Sequence, residues 1–266
     1  MEIIHSPVTT GKIKAVLFDF DGTISTLRCG WENVMGPLFC EVLDDGSLPP
    51  KELKAKVDAY IDESTGIQTI QQMKWLRDEV EKQGRPAKDI WDYKKDYNDR
   101  LMRVIEKKLA RLSSGQDTPA QYLMAGAVEF LQALKERQIQ IYVASGTDHP
   151  DVLREAQALG VSPYFDEIKG APLHEESCSK EAVIRRLLTE TGLRGQELCV
   201  CGDGKVEIRL GMEHDARTIG LASNEKARHG VDEVKRQRLV NAGADIIVGD
   251  FLEKETLLAF MGYKEA

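Results

Sequence analysis

The chain has 266 residues, 42% hydrophobic and 30% charged, enough for one sizeable globular domain or a core with a smaller insert. A formal net charge of −8 argues against a surface built for nucleic acid or an anionic membrane, and no stretch approaches the roughly 18 apolar residues that a membrane-spanning helix needs. The five cysteines, at 29, 40, 178, 199 and 201, form no Cys-x-x-Cys pair and have no histidine at ligand spacing. They read as reduced, packed thiols.

The first residues, MEIIHSPVTTGKIK, lack the apolar stretch of a secretory signal, so a cytoplasmic location is expected. TTGK at 9–12 looks like the end of a phosphate-binding loop but lacks the earlier glycine and precedes its strand, so it is set aside. Ile13–Leu17 is a short apolar run that predicts a buried strand. It leads into Phe18-Asp19-Phe20-Asp21-Gly22-Thr23, where two acids two residues apart project to the same side of an extended chain. Burying unpaired carboxylates against a sheet is costly. A bound cation, or a nucleophile paired with a proton donor, would account for them. A plain turn closed by Asp-Gly is the simpler alternative.

From Trp31 to Leu112 the pattern becomes helical. Val34, Leu38 and Val42 are spaced for one helix, and Leu53, Val57 and Ile61 for a second. Ile70, Met73, Leu76 and Val80 give a third; Ile90, Tyr93, Tyr97, Leu101, Val104 and Leu112 mark a long fourth. Breaks are expected at 44–50, 63–66 and 83–86. The remainder alternates, with strands at 139–145, 165–169, 197–202, 216–221 and 244–248. Helices are predicted between them at 125–137, 150–159, 179–191, 205–214, 225–242 and 252–262. That order predicts an α/β fold: a doubly wound, parallel-sheet, Rossmann-like core with an inserted α-helical bundle. The core is assigned to 1–26 and 119–266 and the helical insert to 27–118, joined by crossings near 24–30 and 113–122.

Further polar residues fall where such sheets bind ligands, at strand C-termini and helix starts. Ile139–Ala144 ends in Ser145-Gly146-Thr147, and Glu197–Cys201 ends in Gly202-Asp203-Gly204, with Glu207 four residues past Asp203. Lys180 opens the helical pattern Val183, Ile184, Leu187, Leu188. The ordered set FDFDGT, VASGT, the lysine of CSKEAVI, and GDGKVE resembles the four motifs of the haloacid dehalogenase superfamily. Ala216–Ala222 is similar to the strand that commonly follows the fourth motif.

The resemblance implies a magnesium-dependent phosphatase acting on a small phosphorylated metabolite, a sugar phosphate among the options. It implies Asp19 as nucleophile and metal ligand, and Asp21 as acid and base, with its backbone carbonyl also on the metal. Asp203 would be a direct ligand and Glu207, an aspartate in many members, a holder of metal-bound water or a solvent-facing helix residue. Ser145 and Lys180 would bind phosphoryl oxygens, with Lys169 a rival for the lysine role. The backbone N–H groups of Gly22 and Thr23 would help cradle the group. The helical insert resembles the cap that many members place between their first two motifs.

Asp21 argues against dehalogenase and phosphonate-cleaving chemistry, both of which lack that second acid. A sugar phosphomutase and an idle phosphometabolite-binding module are the alternatives. Arg28, Trp31, Gln68 and Lys74 are weaker candidates for substrate contact, each equally or better explained by packing or solvation. Asp148 is read as a helix cap, His149 as a helix-entry residue, and His174 and His214 as lacking partners.

Overall fold

The computed structural model describes residues 1–5, 11–173 and 180–263. Cys178, His174 and Ser179 lie outside these residues. The chain divides into two compact units, one comprising Met1–Cys29 with Arg111–Ala266, the other Gly30–Ala110.

The larger unit is built on a seven-stranded sheet. Its strands are β1 (Glu2–Ile3), β2 (Ala15–Phe18), β3 (Gln140–Asp148), β4 (Glu167–Ala171), β5 (Leu198–Gly202), β6 (Arg217–Leu221) and β7 (Ile246–Val248). Their spatial order is β1-β7-β6-β5-β2-β3-β4, with only β1 antiparallel to its neighbour. From β2 the chain winds outward through β3 and β4, then returns to the other side of β2 for β5, β6 and β7. The direction of winding therefore reverses between β2 and β5, the place where open α/β sheets form a ligand crevice at their C-terminal edge.

The helical insert begins with α1 (Glu32–Leu43), α2 (Pro50–Glu63), α3 (Thr69–Lys82) and α4 (Ile90–Ser113). The sheet is flanked by α5 (Ala127–Glu136), α6 (His149–Ala158), α7 (Lys180–Thr191), α8 (Lys205–Glu213), α9 (Glu233–Ala242) and α10 (Lys254–Phe260). Alternation along β2 supplies apolar side chains to both faces. Ala15 and Leu17 pack with Val183, Ile184 and Leu187 of α7. Phe18 meets Phe130 of α5 and Phe251 edge-on, each with ring centroids 6.2 Å apart. Phe18 is fully buried, a transfer term of about 1.5–3 kcal/mol on folding. The predicted doubly wound α/β architecture is the one observed.

Three details depart from the sequence reading. In α1 the buried face is Met35, Leu38, Phe39 and Leu43, while Val34 and Val42 are half-buried. Phe39 stands beside Trp75, whose ring stacks on Tyr60 with centroids 3.8 Å apart, so the aromatic cluster sets which face turns inward. In α4 the apolar stripe runs Leu101, Ile105, Leu109, because successive i+4 steps keep to one side of the helix; Val104 is left exposed.

The third concerns the helix predicted over 225–242, which starts only at Glu233. A turn precedes it, closed by Arg228 N–H donating to the Asn224 carbonyl at 2.7 Å, with Arg228 and Gly230 both at positive φ. Asp232 then caps α9, its side chain accepting from Lys235 N–H at 2.9 Å. Asp148 occupies the N-cap position of α6 but makes no side-chain capping bond there.

Candidate active site

Strands β5, β2 and β3 are adjacent, with Phe18 level with Cys201 on one side and Val143 on the other. This register places Asp19, Asp203 and Ser145 at neighbouring strand ends along one edge. All three are buried. Asp19 keeps the sheet alignment one residue further, its N–H donating to the Cys201 carbonyl at 2.9 Å. Gly202 leaves room for the Glu207 side chain: a Cβ there would stand 3.0 Å from Glu207 Cγ.

The Asp19 carboxylate is held at both oxygens. Oδ1 accepts the Phe20 N–H at 2.8 Å, and Oδ2 accepts Lys180 Nζ at 2.8 Å. Lys180 also ion-pairs with Glu207, which is 3% exposed. The ammonium therefore stands between two buried carboxylates, an arrangement that offsets the cost of burying each. Lys169, the rival, pairs with Glu167 at 3.2 Å on a half-exposed side chain. Glu207 was expected at a metal-bound water or facing solvent; as packed, it faces the lysine.

Asp21 sits beyond the strand end, facing β3. Its Oδ2 accepts Thr147 Oγ1 at 2.8 Å and lies 3.4 Å from Ser145 Oγ. Its Oδ1 is buried without a hydrogen bond, 3.9 Å from Arg28 Nε. Burial pushes the Asp21 carboxyl up to about 7, against the opposing pull of the Arg28 guanidinium. Arg28 is itself committed to Glu155 of α6: Nη2 donates to Oε1 at 2.6 Å, and Nε lies 3.1 and 3.2 Å from the two oxygens. Both residues are buried, so Arg28 is part of the frame around Asp21.

The backbone N–H groups of Gly22 and Thr23, expected to cradle the transferring group, are directed at carbonyls within their own loop. The Gly22 N–H donates to the Ser25 carbonyl at 2.8 Å. Thr23 is wholly buried, its N–H directed at the Phe20 carbonyl at 3.4 Å. Gly22 instead has a steric role. Its φ is +73°, and a Cβ would lie 2.3 Å from Asp203 Oδ2, so only glycine lets this loop pass the carboxylate.

Asp203 Oδ2 accepts Lys235 Nζ at 2.6 Å. The same ammonium donates to Glu225 Oε1 at 2.7 Å and Ser223 Oγ at 3.0 Å, while Ser223 donates to the Gly22 carbonyl at 2.6 Å. Burial works against the Lys235 charge, but Asp203 and Glu225 more than offset it and hold the group above its usual range. Lys235, Glu225, Ser223, Thr147 and Glu155 were not singled out from sequence. Thr147 had a signal, its place in the SGT run at a strand end.

The donors here are carboxylate and carbonyl oxygens, a set that suits magnesium and not a soft metal. Among the described residues no three Asp, Glu, His or Cys side chains close into a ready cage. Magnesium does not require one, since it takes one or two carboxylates and completes its shell with waters and substrate oxygens. Oδ1 of Asp21 and both carboxylate oxygens of Glu207 are buried without a hydrogen bond, unmet polarity that a cation with its waters would satisfy. Asp19, Asp203 and the Asp21 backbone carbonyl are oxygens that fit such an ion, and Glu207 stands next to them at Lys180.

Among the described residues no helix is long and apolar enough to cross a membrane. Comparison with curated proteins gives no significant match. Solved structures share the fold over nearly the whole chain. A predicted phosphatase from Clostridium acetobutylicum matches with a TM-score of 0.62 at 18% identity, covering 94% of this chain and 100% of the other. A predicted phosphoglycolate phosphatase from Haemophilus somnus matches with a TM-score of 0.62 at 16% identity, covering 94% and 99%. A beta-phosphoglucomutase from Clostridium difficile matches with a TM-score of 0.57 at 16% identity, covering 94% and 97%. The family model for haloacid dehalogenase-like hydrolases matches residues 13–211, from the first apolar strand to beyond Glu207, and the chain belongs to that family of hydrolases.

Proposed function

We propose that the protein is a magnesium-dependent phosphatase that hydrolyses a small phosphomonoester through a phosphorylated Asp19. The observation that carries this reading is the placement of Asp19 and Asp21 at one strand end in unlike surroundings: Asp19 accepts Lys180 Nζ at 2.8 Å, while burial pushes the Asp21 carboxyl up to about 7. One carboxylate held by a cation and one carboxyl favoured in its protonated form match a nucleophile and a proton donor.

An Asp19 carboxylate oxygen attacks phosphorus as the bond to the leaving oxygen breaks, and Asp21 gives its proton to that oxygen. Asp21, now ionised, takes a proton from water; the resulting hydroxide attacks phosphorus and releases phosphate with Asp19 restored. Lys180 sits where it can neutralise phosphoryl oxygens, and Ser145 supplies a hydroxyl nearby. Asp19, Asp203 and the Asp21 carbonyl would hold magnesium, which would offset the repulsion between a carboxylate and a phosphate dianion.

The helical insert is assigned a cap role, excluding water and selecting substrate. Its support is position in the chain, between the Asp19–Asp21 pair and Ser145. A cap of this size favours a small metabolite, with a sugar phosphate as the leading class.

Phosphate release from a panel of small phosphomonoesters, with and without magnesium, tests the proposal. Metal-dependent release from at least one member supports it. No release from the panel, together with phosphoryl transfer from a sugar bisphosphate, would replace the phosphatase with a phosphomutase.

A further inference from the structure

Lys235 has no part in the reaction as written above, yet its ammonium is placed as carefully as any group at the edge. Its three protons meet three acceptors: Asp203 Oδ2 at 2.6 Å, Glu225 Oε1 at 2.7 Å and Ser223 Oγ at 3.0 Å. Several local features combine to bring it there. The turn before α9 carries Glu225, the Asp232 cap starts the helix at Glu233, and Lys235 falls in the first turn. Ser223 extends the chain of bonds to the Gly22 carbonyl, tying the β6 end to the loop after β2. The lysine side chain is 14% exposed, and those of Asp203 and Glu225 are 10% and 18% exposed.

Two acids this enclosed repel each other and lose hydration, so without a shared cation they would be costly to keep together. The geometry points to Lys235 as a tethered counter-cation of the metal site. It neutralises Asp203 and Glu225, commits Oδ2 of Asp203 to the ammonium, and sets how strongly a divalent ion is held. This rests on the reading of Asp203 as a metal ligand. Lys235 is thus a positioning residue, acting through Asp203 on the ion and not on the substrate.

A charge role and a packing role make different predictions. Lys235→Met removes a positive charge beside Asp203 and should tighten magnesium binding by roughly ten-fold or more. Glu225→Gln leaves the ammonium less neutralised and should weaken magnesium binding several-fold. The double variant keeps the net charge and should bind within about three-fold of the parent, since the two charge changes are opposite in sign. A lysine that mattered only for packing would lower stability by the same amount at every magnesium concentration.

The measurement is thermal unfolding of the full chain and the three variants across a magnesium titration starting from EDTA, with manganese binding by electron paramagnetic resonance as a second readout. Stabilisation by a bound ion follows its affinity for the folded state. The expected result is a melting deficit for Lys235→Met in EDTA that narrows with magnesium, and a smaller magnesium response for Glu225→Gln. If Lys235→Met does not fold, the opposite shift in Glu225→Gln and its cancellation in the double variant carry the test. Equal magnesium responses in all forms would overturn this inference while leaving the metal site intact. No response in any form, the parent included, would contradict the metal reading and this inference with it.

Discussion

Thr147 Oγ1 donates a hydrogen bond to Asp21 Oδ2 at 2.8 Å, fastening the second acid of the FDFDGT loop to the strand that carries Ser145. The other oxygen, Oδ1, is buried and makes no hydrogen bond. Asp21 is thus held on one side and desolvated on the other, the combination that keeps a carboxyl protonated near neutrality yet correctly oriented.

The pH dependence of stability follows. The folded chain holds the Asp21 proton up to about pH 7, whereas an unfolded aspartate releases it near 3.8. Between those values the native state binds more protons than the unfolded state, so this group's contribution to stability falls as pH rises through the window. Unfolding of the metal-free protein in EDTA, followed from pH 4 to 8, should show that fall. Asp21→Asn should lose it and gain relative stability at the alkaline end. The same substitution should slow turnover by roughly 10²–10⁴, the scale of general acid–base catalysis.

Glu207 offers a choice between two roles with separable kinetics. If it acts through Lys180, as their ion pair implies, Glu207→Gln should raise KM and leave the magnesium concentration for half-maximal rate unchanged. A raised magnesium requirement would instead place Glu207 at the metal. Lys180→Met should cost about 10²-fold or more in kcat/KM, the scale seen when one preorganised charge-stabilising group is removed.

The Arg28–Glu155 pair links the segment just after Asp21 to α6. Glu155 is wholly buried and its carboxylate bonds to Arg28, so Arg28→Met alone should cost about 3–5 kcal/mol of stability by stranding that charge. Adding Glu155→Leu should recover most of it, because a buried pair replaced by apolar side chains is often close to neutral. Chemical denaturation of the two single variants and the double variant gives the comparison.

Gly22→Ala should be damaging for a steric reason. A left-handed φ of +73° is unfavourable for alanine, and the methyl would lie 2.3 Å from Asp203 Oδ2. Displacing that carboxylate by about 1 Å should reduce turnover by about 10²-fold. A crystal structure of the variant would show Asp203 or the loop displaced.

Much of the site was legible because each candidate residue ends a strand or opens a helix, and both patterns are local. Asp19, Asp21, Ser145 and Asp203 could be placed on one edge once a parallel, doubly wound sheet was predicted. Lys180 was separated from Lys169 by the helical run that follows it. Lys235 was hidden because the hydrophobic pattern of 225–242 reads as one helix, and nothing in it reveals the turn that brings Glu225 beside the lysine. Arg28 and Glu155 are 127 positions apart, and only the folded chain joins them. In α1 the choice of Met35 and Phe39 over Val34 and Val42 depended on Tyr60 and Trp75 from two other helices, partners that periodicity within one helix does not name.

The proposed hydrolysis turns on phosphorylation of Asp19. The most direct test is rapid acid quench of the protein turning over a phosphomonoester that it hydrolyses, followed by peptide mapping for the phosphoryl adduct. The adduct is expected on Asp19, persisting in Asp21→Asn through slowed hydrolysis and absent, together with turnover, from Asp19→Asn. An adduct on another residue, or full turnover by Asp19→Asn, would contradict it.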